Sequence, residues 1–297
     1  MKDFFKFMFA SMLGFLIMSV IIFFVFLGMI TSFASMMEKQ ETKVAENTLL
    51  KIDFNTPIID RTSKDPFSDF NFNTMEPSKS IGLNDIIKNL EKAARDPKIT
   101  GVYMDLTSLQ AGQATIEEVR KALMDFKQSG KFILAYSESY SQAAYYLATT
   151  ADDIYLNPEG MVDFRGLFAE LMFFKGTIEK LDAEMQIIRH GKYKSAVEPF
   201  MREDMSPENR EQMIAIVSGI WNRFTEAISA SRNITEDKLN QLADDLALTN
   251  AEDALNERFV DGLKYKDEIL DELKRKLGLE ENKDIKAVTL PKYTNAP

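Results

Sequence analysis

The hydrophobic pattern divides the chain into one long apolar segment followed by shorter, alternating ones. Residues 7–37 contain no charged side chain and consist mostly of Phe, Met, Leu, Ile and Val. A helix needs about 20 such residues to cross the hydrocarbon core of a bilayer. A cleaved signal peptide is the alternative, but its apolar region is normally only about 7–15 residues long. The pattern therefore predicts an N-terminal signal anchor over residues 1–37, with its transmembrane part at about 7–34.

The charges beside that segment predict its orientation. Lys2 and Lys6 precede it, whereas the charges of residues 38–43 behind it cancel. Positively charged flanks remain on the cytoplasmic side of a membrane. We therefore expect a single-pass protein whose N-terminus is cytoplasmic and whose remaining residues lie outside the cytoplasm.

Beyond the apolar segment, patterns typical of strands alternate with patterns typical of helices. Strands are predicted at residues 48–54, 101–106, 132–136, 154–156 and 185–188. Helices are predicted at residues 84–95, 115–129, 141–150, 174–181, 207–232, 234–241, 251–257 and 267–277. Such alternation indicates an α/β fold with a largely parallel sheet, and these sheets usually carry their sites at the carboxyl ends of strands.

Three polar stretches complete the predicted organisation. Residues 38–46 are expected to form a stalk, and residues 55–80, rich in Asn, Asp, Ser, Pro and Phe, a long surface loop of the kind that is often functional. The chain becomes polar again after residue 280, which predicts a linker over 281–297. A single domain over residues 47–280 lies between them.

Composition excludes several classes of function. The net charge of −10 opposes nucleic-acid binding, which needs a clustered basic face. No cysteine is present, so disulfides, thiolate zinc sites and cysteine nucleophiles are excluded. Because His190 is the single histidine, a Ser-His-Asp triad or a multi-histidine metal site would have to be built around it. We expect no metal and no cofactor.

The segment Gly191-Lys-Tyr-Lys-Ser-Ala-Val-Glu-Pro-Phe200 is the main candidate for chemistry. It lies between the predicted strand 185–188 and the helix that begins at Pro207, and it surrounds Lys194 with small and apolar residues. Burial lowers the pKa of a lysine ammonium, and a neutral amine can take the proton of a serine hydroxyl. Lysine is ordinarily a solvated surface charge, so the pattern alone leaves both interpretations open.

Four blocks of sequence make the chain similar to a known family. They are the N-terminal anchor, GVYMDL (101–106), YSQAAYYLATTADDIYLNPEG (140–160) and YKSAVEPFMREDMSP (193–207). The chain resembles the amino-terminal half of the long, tandem-domain signal peptide peptidases of the SppA type, also called protease IV. The resemblance implies a crotonase/Clp-protease superhelix of ββα units and a serine-lysine dyad, in which Lys194 matches the general base.

The resemblance also implies that the nucleophile is missing. Short family members place it in an Ala-Ser-Gly-Gly-Tyr-Tyr sequence, and the matching stretch here is Ser141-Gln-Ala-Ala-Tyr-Tyr146. Aligning the tyrosines puts Gln142 at the nucleophile position, with Ser141 one residue early. One residue corresponds to about 100° around a helix, so Ser141 is predicted to cap a helix. In long family members the serine lies in the second half.

Other polar residues have weaker claims. Ala111-Gly112, after the GVYMDL strand, matches the turn whose backbone N–H groups would bind an oxyanion, although a glycine in a turn also has a plain conformational explanation. His190 has no partner placed by the sequence. Ser195 neighbours Lys194, but adjacent side chains of an extended chain point to opposite faces. Glu198 is expected to pair with a cation near Lys194. Surface or helix-terminal charges are predicted for Asp152, Asp153, Glu203 and Asp204.

The leading hypothesis is a membrane-anchored serine peptidase half. The resemblance implies signal peptides and other extended hydrophobic segments as substrates, a ring-like, tetramer-like homo-oligomer, and a cell inner-membrane protein with an extracytoplasmic domain. A catalytically incomplete scaffold is the second hypothesis. A crotonase-type acyl-coenzyme A enzyme is the third, since fold does not fix function.

Overall fold

The computed structural model describes residues 2–37, 41–62, 70–71, 76–77 and 80–297. The first element is the helix α1 (Lys2–Met37), which contains 36 residues and is about 54 Å long. Its segment Asp3–Met29 has a mean hydropathy of 2.7 and no part buried against the rest of the chain. This helix is long and apolar enough to cross a membrane, and an N-terminal signal sequence would meet the same criteria.

A parallel sheet forms the centre of the domain. The strands are β1 (Thr48–Ile52), β2 (Ile58–Ile59), β3 (Phe70–Asn71), β4 (Glu76–Pro77), β5 (Ile81–Gly82), β6 (Ile99–Asp105), β7 (Phe132–Ser137), β8 (Asp153–Leu156), β9 (Gly262–Leu263) and β10 (Ala287–Thr289). Six of them form one sheet in the order β10-β1-β6-β7-β8-β9, and every pairing in it is parallel. β2 pairs with β5 and β3 with β4 in two small separate sheets.

Helices connect the strands and cover both faces of this sheet. They are α2 (Leu83–Arg95), α3 (Gln113–Lys127), α4 (Gln142–Ala148), α5 (Lys175–Lys180), α6 (Glu198–Met201), α7 (Pro207–Arg232), α8 (Glu236–Asp244), α9 (Ala251–Asn256), α10 (Lys266–Lys276) and α11 (Leu290–Tyr293). A 3-10 turn at Ser195–Val197 leads directly into α6. The predicted α/β class with a parallel sheet and a preceding apolar helix is confirmed.

Alternate side chains of the strands enter two different cores, because the side chains of a strand alternate between its faces. Val102 and Met104 of β6 belong to the larger core, which also contains buried residues of α2, α3, α4, α8 and α9. Tyr103 of the same strand packs in the smaller core with Ile269 and Leu273 of α10. The sheet is therefore covered on both faces, as its nearly continuous apolar strands require.

Most predicted elements are present, with ends shifted by a few residues, but the strand predicted at 185–188 is wrong. Those residues have no regular secondary structure, Met185 is 48% exposed and Ile188 is fully exposed. An apolar run becomes a strand only where a neighbouring strand offers hydrogen-bond partners, and no described strand lies beside this one. The helix predicted from residue 84 begins at Leu83, and Gly82 is its N-terminal cap residue.

The predicted linker over 281–297 is likewise corrected. β10 adds to the sheet beside β1, with Leu50 opposite Val288. Leu290 and Tyr293 of α11 are buried, and Lys92 of α2 donates to the Tyr293 and Ala296 carbonyls, each at 2.8 Å. A few apolar residues are enough to build a polar tail into the fold where the edge of a sheet has free hydrogen-bonding groups.

Parts of two predicted surface segments lie outside the described residues. These are residues 38–40 of the predicted stalk and residues 63–69, 72–75 and 78–79 of the predicted loop, which include most of the Phe67–Phe72 region. The rest of the stalk is tied to the domain, because the Thr42 amide donates to the Asn295 carbonyl at 3.1 Å.

Candidate active site

Two loops meet at the carboxyl ends of β6 and β7, where sites of parallel sheets usually lie. The Ser141 amide at the start of α4 donates to the Thr107 carbonyl in the loop after β6, at 3.0 Å. Five residues further along that loop, Gly112 precedes α3 with φ −71° and ψ 157°. Any residue adopts this conformation, and a Cβ there would have no heavy atom within 4 Å. Backbone strain therefore does not explain the glycine.

Ser141 is the cap of α4, as predicted from its position. Its Oγ accepts a hydrogen bond from the Ala144 amide at 3.3 Å, which leaves it serving the helix. Gln142, at the position that matches the nucleophile, has both polar groups of its side chain hydrogen-bonded to backbone. Its Nε2 donates to the Gly166 carbonyl at 3.2 Å and its Oε1 accepts from the Arg165 amide at 3.2 Å. The glutamine thus ties the chain after β8 to the first turn of α4.

A projecting segment, residues 167–212, follows that tie, and we call it the arm. It contains α5, the 3-10 turn, α6 and the first turns of α7. Every hydrogen bond and ion pair that the structure gives for residues 168–205 has its partner within the arm. None of residues 210–223 of α7 is buried. The arm is therefore joined to the body mainly through the exposed middle of a helix about 39 Å long.

The arm exposes an unusual number of large apolar side chains. Phe168 is 88% exposed, Leu181 73% and Ile188 fully. Other large apolar residues of the arm that are exposed are Leu167, Met172, Phe174, Met185, Tyr193, Phe200 and Met201. Contiguous exposed apolar surface marks sites of interaction with another protein or a membrane.

Lys194 lies in the arm with its neighbours fixed and its own side chain exposed. The Tyr193 hydroxyl donates to Glu211 Oε2 at 3.0 Å, and the Ser195 hydroxyl donates to Gln212 Oε1 at 3.2 Å. The structure gives Lys194 Nζ no hydrogen bond and no ion pair with any described residue. The small and apolar neighbours that surround Lys194 in the sequence do not bury it in this chain, because Tyr193 and Phe200 are themselves exposed.

Glu198 is the buried polar centre of the arm. Its carboxylate is 0% exposed and accepts hydrogen bonds from the Ser206 hydroxyl at 2.5 Å, the Ser206 amide at 3.1 Å and Asn209 Nδ2 at 3.0 Å. Arg189 Nη1 lies 3.6 Å away. Burial acts to raise the pKa of this carboxyl, but the Ser206 and Asn209 hydrogen bonds and the Arg202 charge outweigh it and lower the pKa. The cation expected beside Glu198 is therefore Arg189.

The structure does not join Lys194 to the sheet edge. The turn around Lys194 contacts α7 at Glu211 and Gln212. Arg165 and Gly166 bind Gln142 elsewhere, and they line a cavity of about 290 Å³ together with Ser218 and Trp221. Gln212 and Ser218 are six residues apart on α7, which corresponds to about 9 Å along the helix axis. Gln142 and the Gly112 turn share one edge, and Lys194 lies beyond it on the arm.

The remaining polar candidates have ordinary roles or none. His190 is exposed. Asp152 pairs with Lys127 at 2.8 Å, Asp153 pairs with Lys276, and Asp204 pairs with Arg202 at 2.8 Å. In the part of the chain that the structure describes, no group of three or more His, Asp or Glu side chains could hold a metal ion.

Sequence reasoning missed how Glu198 binds Ser206 and Asn209. These residues lie 8 and 11 positions after it, and they meet it across the chain reversal between α6 and α7, not within one helix or strand. The helix start at Ser206-Pro207 was the only available signal, since a capping serine has a hydroxyl and an amide to offer.

The profile of peptidase family S49 matches residues 125–280, just over half of the chain. The chain belongs to this family. The match includes α4, the whole arm and α10, so it covers both Gln142 and Lys194.

Curated relatives carry protease names. Over 162 residues the chain is 40% identical to Protease 4 of Haemophilus influenzae. This alignment covers 54% of the chain and 26% of that protein. It is 30% identical over 221 residues to the chloroplastic serine protease SPPA of Arabidopsis thaliana, covering 73% of the chain and 32% of that protein. A putative protease of Methanocaldococcus jannaschii is 24% identical over 68% of each chain. The chain therefore spans about a quarter to a third of the first two relatives, and the family supports a peptidase function.

Proposed function

We propose that this S49 peptidase chain carries the general base of a Ser-Lys dyad whose serine is supplied by a second unit. Lys194 takes the proton from the serine hydroxyl as it attacks the peptide carbonyl, and returns a proton to the leaving amine. Backbone N–H groups at the Gly112 turn would stabilise the oxyanion. The second unit is either another half of a longer protein or another chain.

The observation that carries the proposal is the state of Lys194. Its flanking side chains are hydrogen-bonded to α7, whereas its own amine is exposed and unpartnered among the described residues. Within the chain, the position matching the nucleophile holds Gln142, which binds backbone. To act as a base, such an exposed amine needs a partner surface that removes it from water. Desolvation then favours the neutral form of the lysine.

The exposed apolar residues of the arm that carries Lys194 support such a partner. Phe168, Leu181 and Ile188 would be buried by a docked unit, and the same contact would cover the lysine. Assembly into a ring-like homo-oligomer, as the family resemblance implies, would supply this surface.

The proposed substrates are signal peptides and other extended hydrophobic peptides at a membrane. α1 would act as an uncleaved anchor that keeps the peptidase domain at the extracytoplasmic face of the inner membrane. Its apolar segment of 27 residues is longer than the bilayer requires, and Lys2 and Lys6 favour a cytoplasmic N-terminus.

The test is complementation of the missing serine. The chain alone is assayed with a fluorogenic hydrophobic peptide, and then with the carboxy-terminal half of a relative such as Protease 4. Little hydrolysis is expected alone and clear hydrolysis on addition. Lys194→Ala abolishes it, whereas Lys192→Ala, a change to an exposed neighbour, is mild. Equal effects of the two variants would overturn the assignment of Lys194.

A second candidate function is a scaffold that assembles beside active partners without chemistry of its own. The engagement of both polar groups of Gln142 with backbone favours it, because this places a structural residue where a nucleophile is expected. Activity that survives Lys194→Ala in the complemented protein, together with assembly, would favour this function.

A further inference from the structure

The Glu198 carboxylate joins the chain before Lys194 to the chain after it. Glu198 binds Arg189 five residues before Lys194, and Ser206 and Asn209 well after it. The Glu198 amide also donates to the Ser195 carbonyl, which completes the 3-10 turn that directly follows Lys194. The chain entering the turn, the turn itself and the start of α7 are therefore joined at a single side chain.

Burial makes this joint strong. Glu198 is 0% exposed and Asn209 2%, so water does not compete for the hydrogen bonds between them. Hydrogen bonds to a charged group contribute more than neutral ones. Removing the charge would leave the Ser206 and Asn209 donors without an equal partner, so the joint depends on an ionised carboxylate.

Beyond this joint, the turn is held by the hydrogen bonds of Tyr193 with Glu211 and of Ser195 with Gln212. Apolar packing adds little, because Tyr193 is 53% exposed and Phe200 39%. Gly191 has φ +101°, a conformation that suits glycine and bends the chain before Lys194. The turn is thus kept in place by polar contacts with the first two turns of α7.

We propose that Glu198 is a positioning residue that, through Ser206 and Asn209, holds the Lys194 turn on the start of α7 so that the amine presents to the partner's serine. The carboxylate touches no reacting atom in this scheme. This inference rests on the proposed function, because the serine belongs to a second unit. A base displaced by about 1 Å loses roughly 10²-fold in rate.

The first experiment tests whether the turn is held in place, and it does not depend on enzymatic activity. Hydrogen exchange is measured on a peptide covering residues 195–206 in the detergent-solubilised full chain. Glu198→Gln is expected to speed exchange there by about tenfold, whereas Glu226→Gln, a change at an exposed acid of α7, leaves it unaltered. Equal exchange in the two variants would overturn the proposal.

The second experiment reads catalysis in the complemented protein. Glu198→Gln is expected to lower kcat by about 10²-fold with KM within about twofold. A raised KM with unchanged kcat would contradict positioning of the base. Should Glu198→Gln fail to fold, Asn209→Ala removes one donor and keeps the charge, and a smaller change in the same direction is expected. If wild type shows no hydrolysis, the proposed function fails, while hydrogen exchange still decides whether Glu198 holds the turn.

Discussion

At the scale of single residues, buried polar side chains hold this domain together by meeting several partners at once. Arg120 of α3 is 8% exposed, and it reaches α4 and α7 together. Nη1 donates to the Tyr146 carbonyl at 2.5 Å and to Thr149 Oγ1 at 2.7 Å, and Nη2 donates to Ser231 Oγ at 2.9 Å. The planar guanidinium has five N–H donors in a fixed fork on two separate nitrogens and one bridging nitrogen, whereas a lysine ammonium has three on a single nitrogen.

Arg120→Met tests this junction. The substitution removes the guanidinium donors from the buried Tyr146 carbonyl and from the Thr149 and Ser231 hydroxyl oxygens, so the free energy of unfolding should fall by about 2–4 kcal/mol. Denaturant unfolding measures it, with Arg223→Met as control, since Arg223 is exposed on α7. A loss no larger than that of the control would show that the junction does not stabilise the fold.

Glu272 of α10 makes the folding stability of the domain depend on pH. Burial acts to raise the pKa of its carboxyl, but the hydrogen bond from Lys264 and the charges of Lys264, Arg275 and Lys276 outweigh it and lower the pKa below 4.5. A carboxyl whose pKa is depressed by folding contributes stability above its unfolded pKa, and this stability is lost as pH falls through the folded value.

Glu272→Gln should therefore be less stable than wild type at neutral pH. The difference is expected to shrink below about pH 4.5 and to vanish below the folded pKa. Thermal unfolding across pH 2–7 measures it, with Glu281→Gln, at an exposed residue, as control. A difference that stays constant over this range would contradict the assignment.

At the scale of elements, the last strand and helix complete the fold. β10 extends the sheet beyond β1, and the short helix α11 packs against α2. Tyr293 of α11 is fully buried, its hydroxyl donates to Asp96 Oδ2 at 2.9 Å, and Lys92 Nζ lies 4.2 Å from its ring centroid. The tail therefore contributes to the core of the domain.

Tyr293→Ala tests that contribution. Removing a buried aromatic ring costs about 3–5 kcal/mol of folding free energy, so a large fall in the denaturation midpoint is expected. Phe168→Ala, which removes an exposed ring from the arm, should change stability by no more than about 0.5 kcal/mol. Similar effects of the two changes would mean that the tail is dispensable.

At the level of the whole molecule, the described residues leave α1 and the arm with much apolar surface uncovered. They differ in form, since α1 is apolar on all sides, whereas the arm mixes apolar side chains with Lys, Arg, Asp and Glu. From these differences we expect α1 to meet lipid and the arm to meet a protein partner.

The proposed topology is tested by protease access. With α1 anchored and its N-terminus in the cytoplasm, the domain after residue 37 lies outside, so protease added to spheroplasts should digest it. The digestion is followed by immunoblotting of the domain, with a cytoplasmic protein as the protected control. Full protection of the domain would overturn the orientation.

The proposed assembly through the arm is tested by light scattering. The detergent-solubilised full chain should be larger than a monomer, and Phe168→Ser combined with Ile188→Ser should shift it toward the monomer, because both side chains are largely exposed in the chain alone. Met124→Ser changes an exposed apolar residue of α3 and should have no effect. A monomeric wild type would leave the arm without this role.

Local features could be read from the sequence. Periodicity predicted the parallel α/β domain, because such signals depend on neighbours a few residues apart. The places of Ser141 and Gln142 came from the resemblance to the SppA-type peptidases, by aligning the two tyrosines, and the structure confirms Ser141 as a cap.

The partners that apolar and charged residues find depend on the three-dimensional fold. The run at 185–188 is exposed and the polar tail is built into the sheet, because an apolar side chain specifies burial but not the surface that buries it. Glu198 meets Ser206 and Asn209 through a turn of no fixed period, and the same turn leaves Lys194 in solvent. Partners brought together by chain reversal, unlike those within a helix or strand, leave no repeat in the sequence.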